Sequence, residues 1–198
     1  MRFQGFFAET LRRWGKDRRG AAAIEFAFVA PVLLVLYMMT MEVSQAIDTN
    51  KKVSRIASLT ADLVTQEQDI IKSEIDAIMT LSEAVVAPYN RSKPTVEIDA
   101  ISIDATSKAT IAWSRKYVNG VASDHIAKGT IVTGIPAKLI LPSTFLIRSH
   151  GKLTYTPLVS WMATSTPGSW TTSTTSIEMD EVYFLRPRIA STVTCADC

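Results

Sequence analysis

Histidine, cysteine and glycine are scarce in this sequence, which limits the chemistry that it can support. The 198 residues include two histidines, two cysteines and eight glycines. Neither His125 nor His150 lies in a recognisable motif, so nothing indicates a Ser-His-Asp hydrolase. No glycine-rich phosphate-binding loop occurs either. We therefore predict that the protein is not an enzyme and that it uses no cofactor and no metal ion. An exported enzyme is the least favoured alternative.

The two cysteines, Cys195 and Cys198, form a C-x-x-C pattern near the end of the sequence. A structural zinc site would need two further ligands, and the histidines have no ligand spacing. A redox-active C-x-x-C normally opens a helix in a βαβ unit, which the sequence does not predict here. If this part of the chain is exported, the oxidising environment favours a local disulfide. The alternative is two ordinary thiols.

Positive charge is concentrated at the start of the chain. Residues 1–20 carry six Lys/Arg and two acidic residues, a net charge of +4, whereas the other fifteen basic and seventeen acidic residues give −2. A nucleic-acid-binding protein carries its basic surface on the folded domain. We therefore expect no nucleic acid among the partners.

One long apolar run, AAAIEFAFVAPVLLVLYMMTM, occupies residues 21–41. A helix of about 20 apolar residues crosses the ~30 Å hydrocarbon core of a bilayer. Because basic residues beside a membrane stay in the cytoplasm, residues 1–20 are predicted to be a cytoplasmic leader. Residues 42–198 then form an extracytoplasmic domain, which in a bacterium means a single-pass inner-membrane protein with a periplasmic domain. A conventional secretory signal is disfavoured, since its apolar stretch is usually 7–15 residues.

An acidic residue, Glu25, lies inside this apolar run. An ionised carboxylate in a bilayer is costly unless it is paired or protonated. Two interpretations stay open. In the first, the side chain reaches the cytoplasmic interface about one turn away, and in the second it meets a positive partner within the membrane.

The sequence RRGAAAIEFA at residues 18–27, followed by Ala30 and Pro31, resembles the N-terminal signature of TadE/TadF-like pseudopilins of tight-adherence (Flp) type IV pilus systems. The resemblance implies that prepilin peptidase cuts between Gly20 and Ala21. It also implies that Glu25 neutralises the terminal amine of a neighbouring subunit during assembly. The implied partners are the peptidase, other pilus or pseudopilin subunits and the inner-membrane assembly platform.

Two departures from the small Flp pilins favour a minor pseudopilin over the main filament subunit. Phe26 follows the acid where those pilins have tyrosine, and the chain is far longer. The TadE/TadF-like minor pseudopilin would stay in the membrane or enter a surface filament. The alternative function is an unprocessed single-pass envelope protein whose periplasmic domain binds a partner or a ligand, in which case Glu25 has no special role.

The helical period of apolar residues continues beyond the membrane run. It predicts one helix over residues 21–65, in which Pro31 should produce a kink. A second helix is predicted over residues 69–87, with Asp69 as its N-cap and Pro88 ending it.

From residue 95 the apolar period changes to two, which predicts antiparallel strands. The first two should form a hairpin with its loop at 104–108 and a bulge near Ala100, and Asn119-Gly120 marks the next turn. A third strand is predicted over 153–161, where Pro157 favours a sheet edge, and a fourth over 177–185. Acids such as Asp99 are interpreted as solvated, and Trp170 as a candidate contact residue in a Ser/Thr-rich loop. The fold class is therefore α+β, a transmembrane helix continuing into a pilin-like domain with a second helix and a small antiparallel sheet.

Overall fold

One helix accounts for the start of the described chain. The computed structural model describes residues 20–157 and 176–198. Helix α1 runs over Ala21–Thr65, with Pro31 inside it. At ~1.5 Å per residue it is about 67 Å long. The helix predicted from the apolar period is thus confirmed. The apolar spacing within residues 3–14 also predicts an interfacial amphipathic helix, but this segment lies outside the described residues.

The chain divides into two compact units, Met1–Ser44 and Gln45–Cys198. In the first unit, the large apolar side chains of α1 are exposed; Phe26 and Phe28, for example, are 72% and 75% exposed. Helix α1 contains a stretch long and apolar enough to cross a membrane, and none of that stretch is buried. An exposed apolar surface of this length is expected where lipid is the solvent. The helix therefore indicates a membrane-anchored protein.

The second unit is built on a five-stranded antiparallel sheet with the strand order β4-β3-β2-β5-β6. The strands are β2 (Thr95–Ile103), β3 (Ala109–Val118), β4 (Val121–Asp124), β5 (Thr144–Tyr155) and β6 (Ile177–Leu185). A short 3₁₀ helix, Ala137–Leu139, lies between β4 and β5. The α+β fold class predicted from the sequence is confirmed.

Each face of the sheet buries its own apolar cluster. On the face that we call the helix face, Ile98, Trp113 and Ile147 pack with Ile56 of α1 and Met79 of the second helix. On the opposite face, which we call the outer face, Ile135 packs in a second cluster with apolar residues of β2, β3 and β5. These residues are Ile101, Ile103, Ala109, Ile111 and Leu146. Strand residues alternate between the two faces, because successive side chains of a strand point in opposite directions.

The second helix begins later than the sequence predicted. Helix α2 runs over Lys72–Val86, and its N-cap residue is Ile71. Asp69 belongs instead to a short strand, β1 (Asp69–Ile70), which pairs in parallel with β7 (Thr194–Cys195). The prediction of Asp69 as the N-cap was wrong, because the side chain of Asp69 accepts a hydrogen bond from Thr194 Oγ1. The helix ends immediately before Ala87, next to Pro88, as expected.

The predicted hairpin is confirmed. Strands β2 and β3 pair in antiparallel register on either side of the loop 104–108, and the register shifts between Ala100 and Ile101, where the bulge was predicted. Asn119 and Gly120 have positive φ values of 52° and 89° and join β3 to β4 in a two-residue turn. This is the backbone conformation that Asn-Gly adopts most readily in hairpins.

The third predicted strand differs in extent and position. Strand β5 begins at Thr144 and lies between β2 and β6, so the edge position inferred from Pro157 was wrong. Pro157 lies two residues beyond Tyr155, the last residue of the strand, so its missing N–H removes no hydrogen bond from the sheet. Residues 158–161 of that prediction, and Trp170, lie outside the described residues. The fourth predicted strand is confirmed as β6.

Candidate functional site

The residues singled out at the membrane end lie together at the start of α1. Gly20 immediately precedes Ala21, the first residue of the helix, and Glu25 follows four residues later, about one turn along. All three residues are exposed. A β-carbon added at Gly20 would meet no atom within 4 Å. The backbone at the predicted cut is therefore sterically accessible within the described chain, while processing there stays a prediction.

The surroundings of Glu25 are apolar. Its helix neighbours Ile24, Phe26 and Phe28 are between 61% and 75% exposed, so this part of α1 presents hydrocarbon to its environment. In a membrane, an ionised carboxylate among such side chains is stabilised mainly by an opposite charge. An amine on a neighbouring helix would supply that charge, and the assembly role of Glu25 stays a prediction.

A cluster of charged side chains lies on the outer face of the sheet, where strands β2, β5 and β6 meet. We call Glu97, His150, Lys152 and Asp180 the outer-face cluster. His150 contacts two carboxylates, with Nδ1 3.2 Å from Glu97 Oε2 and Nε2 2.5 Å from Asp180 Oδ1. Lys152 Nζ donates to both oxygens of Glu97 at 3.1 and 3.0 Å. Strand pairing places Glu97 opposite His150 and Lys152 opposite Asp180.

The contacts of the outer-face cluster shift two pKa values in opposite directions. Hydrogen bonding from His150, reinforced by Lys152, lowers the pKa of Glu97 to about 2. Hydrogen bonding to Glu97, reinforced by Asp180, raises the pKa of His150 above its usual 6.5. Each shift has the same physical cause, because a charged partner at hydrogen-bonding distance favours the charged form.

In the outer-face cluster, the positive and negative side chains neutralise one another, and the arrangement does not favour acid–base catalysis or cation binding. With both ring nitrogens directed at carboxylates, the protonated His150 has no acceptor nitrogen left to act as a general base. His125 Nε2 is 3.8 Å from Glu97 Oε2, beyond hydrogen-bonding distance. The ammonium of Lys152 on the same carboxylate would oppose a bound cation.

Asp99 occupies a second polar cluster and corrects an interpretation made from the sequence. The sequence suggests a solvated acid at this position, yet Asp99 is 1% exposed. Its Oδ2 accepts hydrogen bonds from Arg148 Nε and Nη2 at 2.8 and 2.7 Å, and its Oδ1 accepts one from the hydroxyl of Ser114. These partners lie on the two strands flanking β2. A buried carboxylate satisfied in this way stabilises strand register rather than binding solvent.

A third cluster connects α2 to the sheet. Arg115 of β3 contacts Asp76 of α2 through two nitrogens, Nε at 3.0 Å and Nη2 at 2.7 Å from Oδ1. Its Nη1 donates to Asp124 Oδ1 at 2.7 Å. The Arg115 side chain is 8% exposed, whereas that of Asp124 is 72% exposed. The pKa of the Arg115 guanidinium is raised above its usual value, and the hydrogen bond to Asp76 is the main cause.

The C-terminal cysteines are joined to each other. A disulfide links Cys195 and Cys198, whose Cα atoms are 5.5 Å apart. Possible ligand atoms of Cys195, Asp197 and Cys198 lie within 4.8 Å of one another. In the disulfide, however, neither sulfur carries the thiolate charge that binds a metal ion. The Asp197 carboxylate is engaged instead by the backbone N–H of Lys72.

The clusters on the sheet were not recognised from the sequence. Glu97, Asp99 and Arg115 come from strands whose alternating pattern was visible, whereas His150 lies in the part of β5 that precedes the strand predicted over 153–161. Most of the partners of these residues are far away in the sequence. The available signal was the alternation itself, which places Glu97 and Asp99 on the same face of β2. Which residues of the neighbouring strands they contact depends on the register between the strands, and the sequence does not show that register.

The comparison with known proteins points to the N-terminal part of the chain. Residues 20–62 match the family model described as TadE-like protein. No curated protein and no solved structure matches the chain. The matched segment begins at Gly20 and includes Ala21, Glu25 and most of α1. The resemblance inferred from the sequence is thus confirmed over residues 20–62, the part of the chain that is similar to TadE-like proteins.

Proposed function

We propose that this TadE-like protein is a minor pseudopilin that takes part in assembling a tight-adherence (Flp) pilus. The observation that carries the proposal is the TadE-like match over residues 20–62, which begins at Gly20 and contains Glu25. This match supports a protein associated with a tight-adherence pilus, and the exposed apolar surface of α1 supports a membrane anchor. The role is structural rather than enzymatic.

Prepilin peptidase removes residues 1–20 in this proposal and leaves Ala21 as the new N-terminus. The proposed cut lies at the boundary between the basic leader and the apolar helix. It releases an amine at the end of α1, one turn from Glu25. The amine of one subunit and the Glu25 of another then neutralise each other in the membrane, where two separated charges are costly.

The orientation follows from the charge of the leader. The +4 charge of residues 1–20 keeps them on the cytoplasmic side of the inner membrane. Residues 42–198 are then periplasmic, where they meet other pilus subunits and the assembly platform. Deleting residues 12–19 should change the topology, and an unchanged protease-accessibility pattern would contradict this orientation.

Mass spectrometry of the mature N-terminus tests the proposal. In a strain with active prepilin peptidase, we expect a chain that starts at Ala21. Gly20→Val should block the cut without disturbing the helix, because a side chain at residue 20 meets no atom within 4 Å. Gly15→Val is the matched control within the leader and should be processed normally. A wild-type protein that still begins at Met1 in this strain would contradict processing by prepilin peptidase.

A further inference from the structure

The N-terminus of α2 takes part of its cap from a distant segment of the chain. Its N-cap residue, Ile71, has no side chain that can accept a hydrogen bond. Glu74 Oε2 accepts from the N–H of Ile71 at 3.1 Å, whereas the N–H of Lys72 donates to Asp197 Oδ1 at 2.8 Å. The first N–H groups of a helix have no partner within the helix. A residue 125 positions away therefore supplies one of the missing acceptors.

Asp197 lies inside the small ring that the Cys195–Cys198 disulfide closes. Its Oδ1 is also 3.5 Å from Cys195 Sγ, a van der Waals contact, because a disulfide sulfur has no proton to donate. The chain before the ring is anchored to the domain. Thr194 N donates to Gln68 O at 3.1 Å, and Trp113 Nε1 donates to the carbonyl of the buried Val193 at 2.9 Å.

The ring itself is held more weakly than the chain before it. Ala196 N donates to Ile70 O at 3.4 Å, a long hydrogen bond, and Cys198 is exposed. Opening the ring frees the backbone around Asp197, so presenting its carboxylate to Lys72 then costs conformational entropy. The cap should consequently be occupied less often in the reduced protein.

We propose that the Cys195–Cys198 disulfide is a thiol–disulfide exchange site for dithiols, and that its closure positions Asp197 as the cap of α2. In the exchange, a thiolate of the dithiol attacks Sγ of Cys198, an exposed residue; the S–S bond breaks, and Cys195 leaves as a thiolate that takes up a proton. The second thiol of the dithiol then displaces Cys198 from the mixed disulfide. The protein gains two electrons and two protons, and the dithiol becomes a disulfide.

Hydrogen exchange on the full chain in detergent micelles tests the proposal, with dithiothreitol as the dithiol. Mass spectrometry would follow peptides that cover residues 68–76 and 190–198. We expect reduction to speed exchange of the Lys72 amide about fivefold, the effect of losing a typical cap. Asp197→Ala should give the same increase while the disulfide is intact, and reduction should then add little at Lys72. Glu67→Ala, a nearby acid outside the cap, is the control and should leave that amide unchanged.

Each arm has a result that would overturn part of the proposal. If the Lys72 amide of oxidised Asp197→Ala exchanges as slowly as in the wild-type protein, Asp197 does not cap α2. If the Lys72 amide exchanges at the same rate in the oxidised and reduced wild-type protein, the disulfide does not control the cap. Alkylation of both thiols would show that reduction was complete. A disulfide that resists dithiothreitol while the domain is folded would remove the exchange site. The double variant Cys195→Ser/Cys198→Ser should reproduce the reduced state without a reductant.

Discussion

Gly151 of β5 faces Ala57 of α1 so closely that a β-carbon at residue 151 would lie 3.3 Å from the Ala57 β-carbon. The same added atom would lie 3.1 Å from the carbonyl oxygen of Val53. The backbone of α1 thus approaches the sheet at a position where β5 has no side chain. The hydrogen bond between Thr60 and Ser149, 2.6 Å between their hydroxyl oxygens, lies in the same interface.

Gly151→Ala should therefore destabilise the domain by about 1–3 kcal/mol, the usual cost of overpacking. The carbonyl of Val53 belongs to a helix and cannot move aside as a flexible side chain would. Thermal unfolding of the full chain in detergent measures the effect, at roughly 2–4 °C per kcal/mol.

The double variant Gly151→Ala/Ala57→Gly is the matched control for this contact. Removing the Ala57 β-carbon relieves one of the two close approaches, so the two substitutions should be less destabilising together than the sum of their separate effects. Additive effects would show that the contact with Ala57 does not limit the packing.

Arg115 should depend on its two acidic partners to very different degrees. Asp76→Ala leaves a buried guanidinium without its main partner, and we expect a loss of about 3 kcal/mol. Asp124→Ala removes an exposed carboxylate and should cost less than about 1 kcal/mol. Chemical denaturation of both variants makes the comparison. Equal losses would contradict the ranking, which is based on the burial of each partner.

Stability should depend on pH through the outer-face cluster. The raised pKa of His150 means that its stabilising contribution is fully present below the usual value of 6.5 and is lost as the pH rises through the higher folded value. The lowered pKa of Glu97 means that its contribution is present above 4.5 and is lost as the pH falls towards about 2. These two groups together predict greatest stability between pH 4.5 and 6.5.

Melting temperatures of the full chain at pH 5 to 9 would show the upper half of this dependence. His150→Gln cannot become charged, so the decline in stability above pH 6.5 should be smaller in this variant. The control is His125→Gln, since His125 lies farther from Glu97, at 3.8 Å. A wild-type decline that persists unchanged in His150→Gln would assign the pH dependence to other groups.

If Glu25 pairs with the amine of a neighbouring subunit, as proposed above, Glu25→Ala should reduce surface filaments. Membrane insertion should stay intact, because it depends on the apolar side chains of the helix. Electron microscopy of surface filaments and membrane fractionation measure the two effects separately. Glu42→Gln changes an acid of the same helix beyond the apolar run and serves as the control. Normal piliation in Glu25→Ala, at normal protein levels, would exclude the assembly role.

The sequence by itself determined the features that depend on residues close together in the chain. The apolar run and its helical period fixed the extent of α1, and the change to alternation at residue 95 indicated the β2–β3 hairpin with its bulge. The signature around Gly20 and Glu25 pointed to a TadE-like protein. These features are local, because helix and hairpin geometry brings together residues only a few positions apart.

Tertiary structure alone decided which distant residues meet. The parallel pairing of β1 with β7 converted Asp69 from an expected helix cap into a strand residue, and the cap of α2 passed to Asp197. Register buried Asp99 between Ser114 and Arg148, although its position in the sequence suggested a solvated acid. The physical reason is that strand pairing and the cap from Asp197 both depend on backbone N–H groups. Nearly every residue carries such a group, so the sequence gives little indication of which distant segment will meet it.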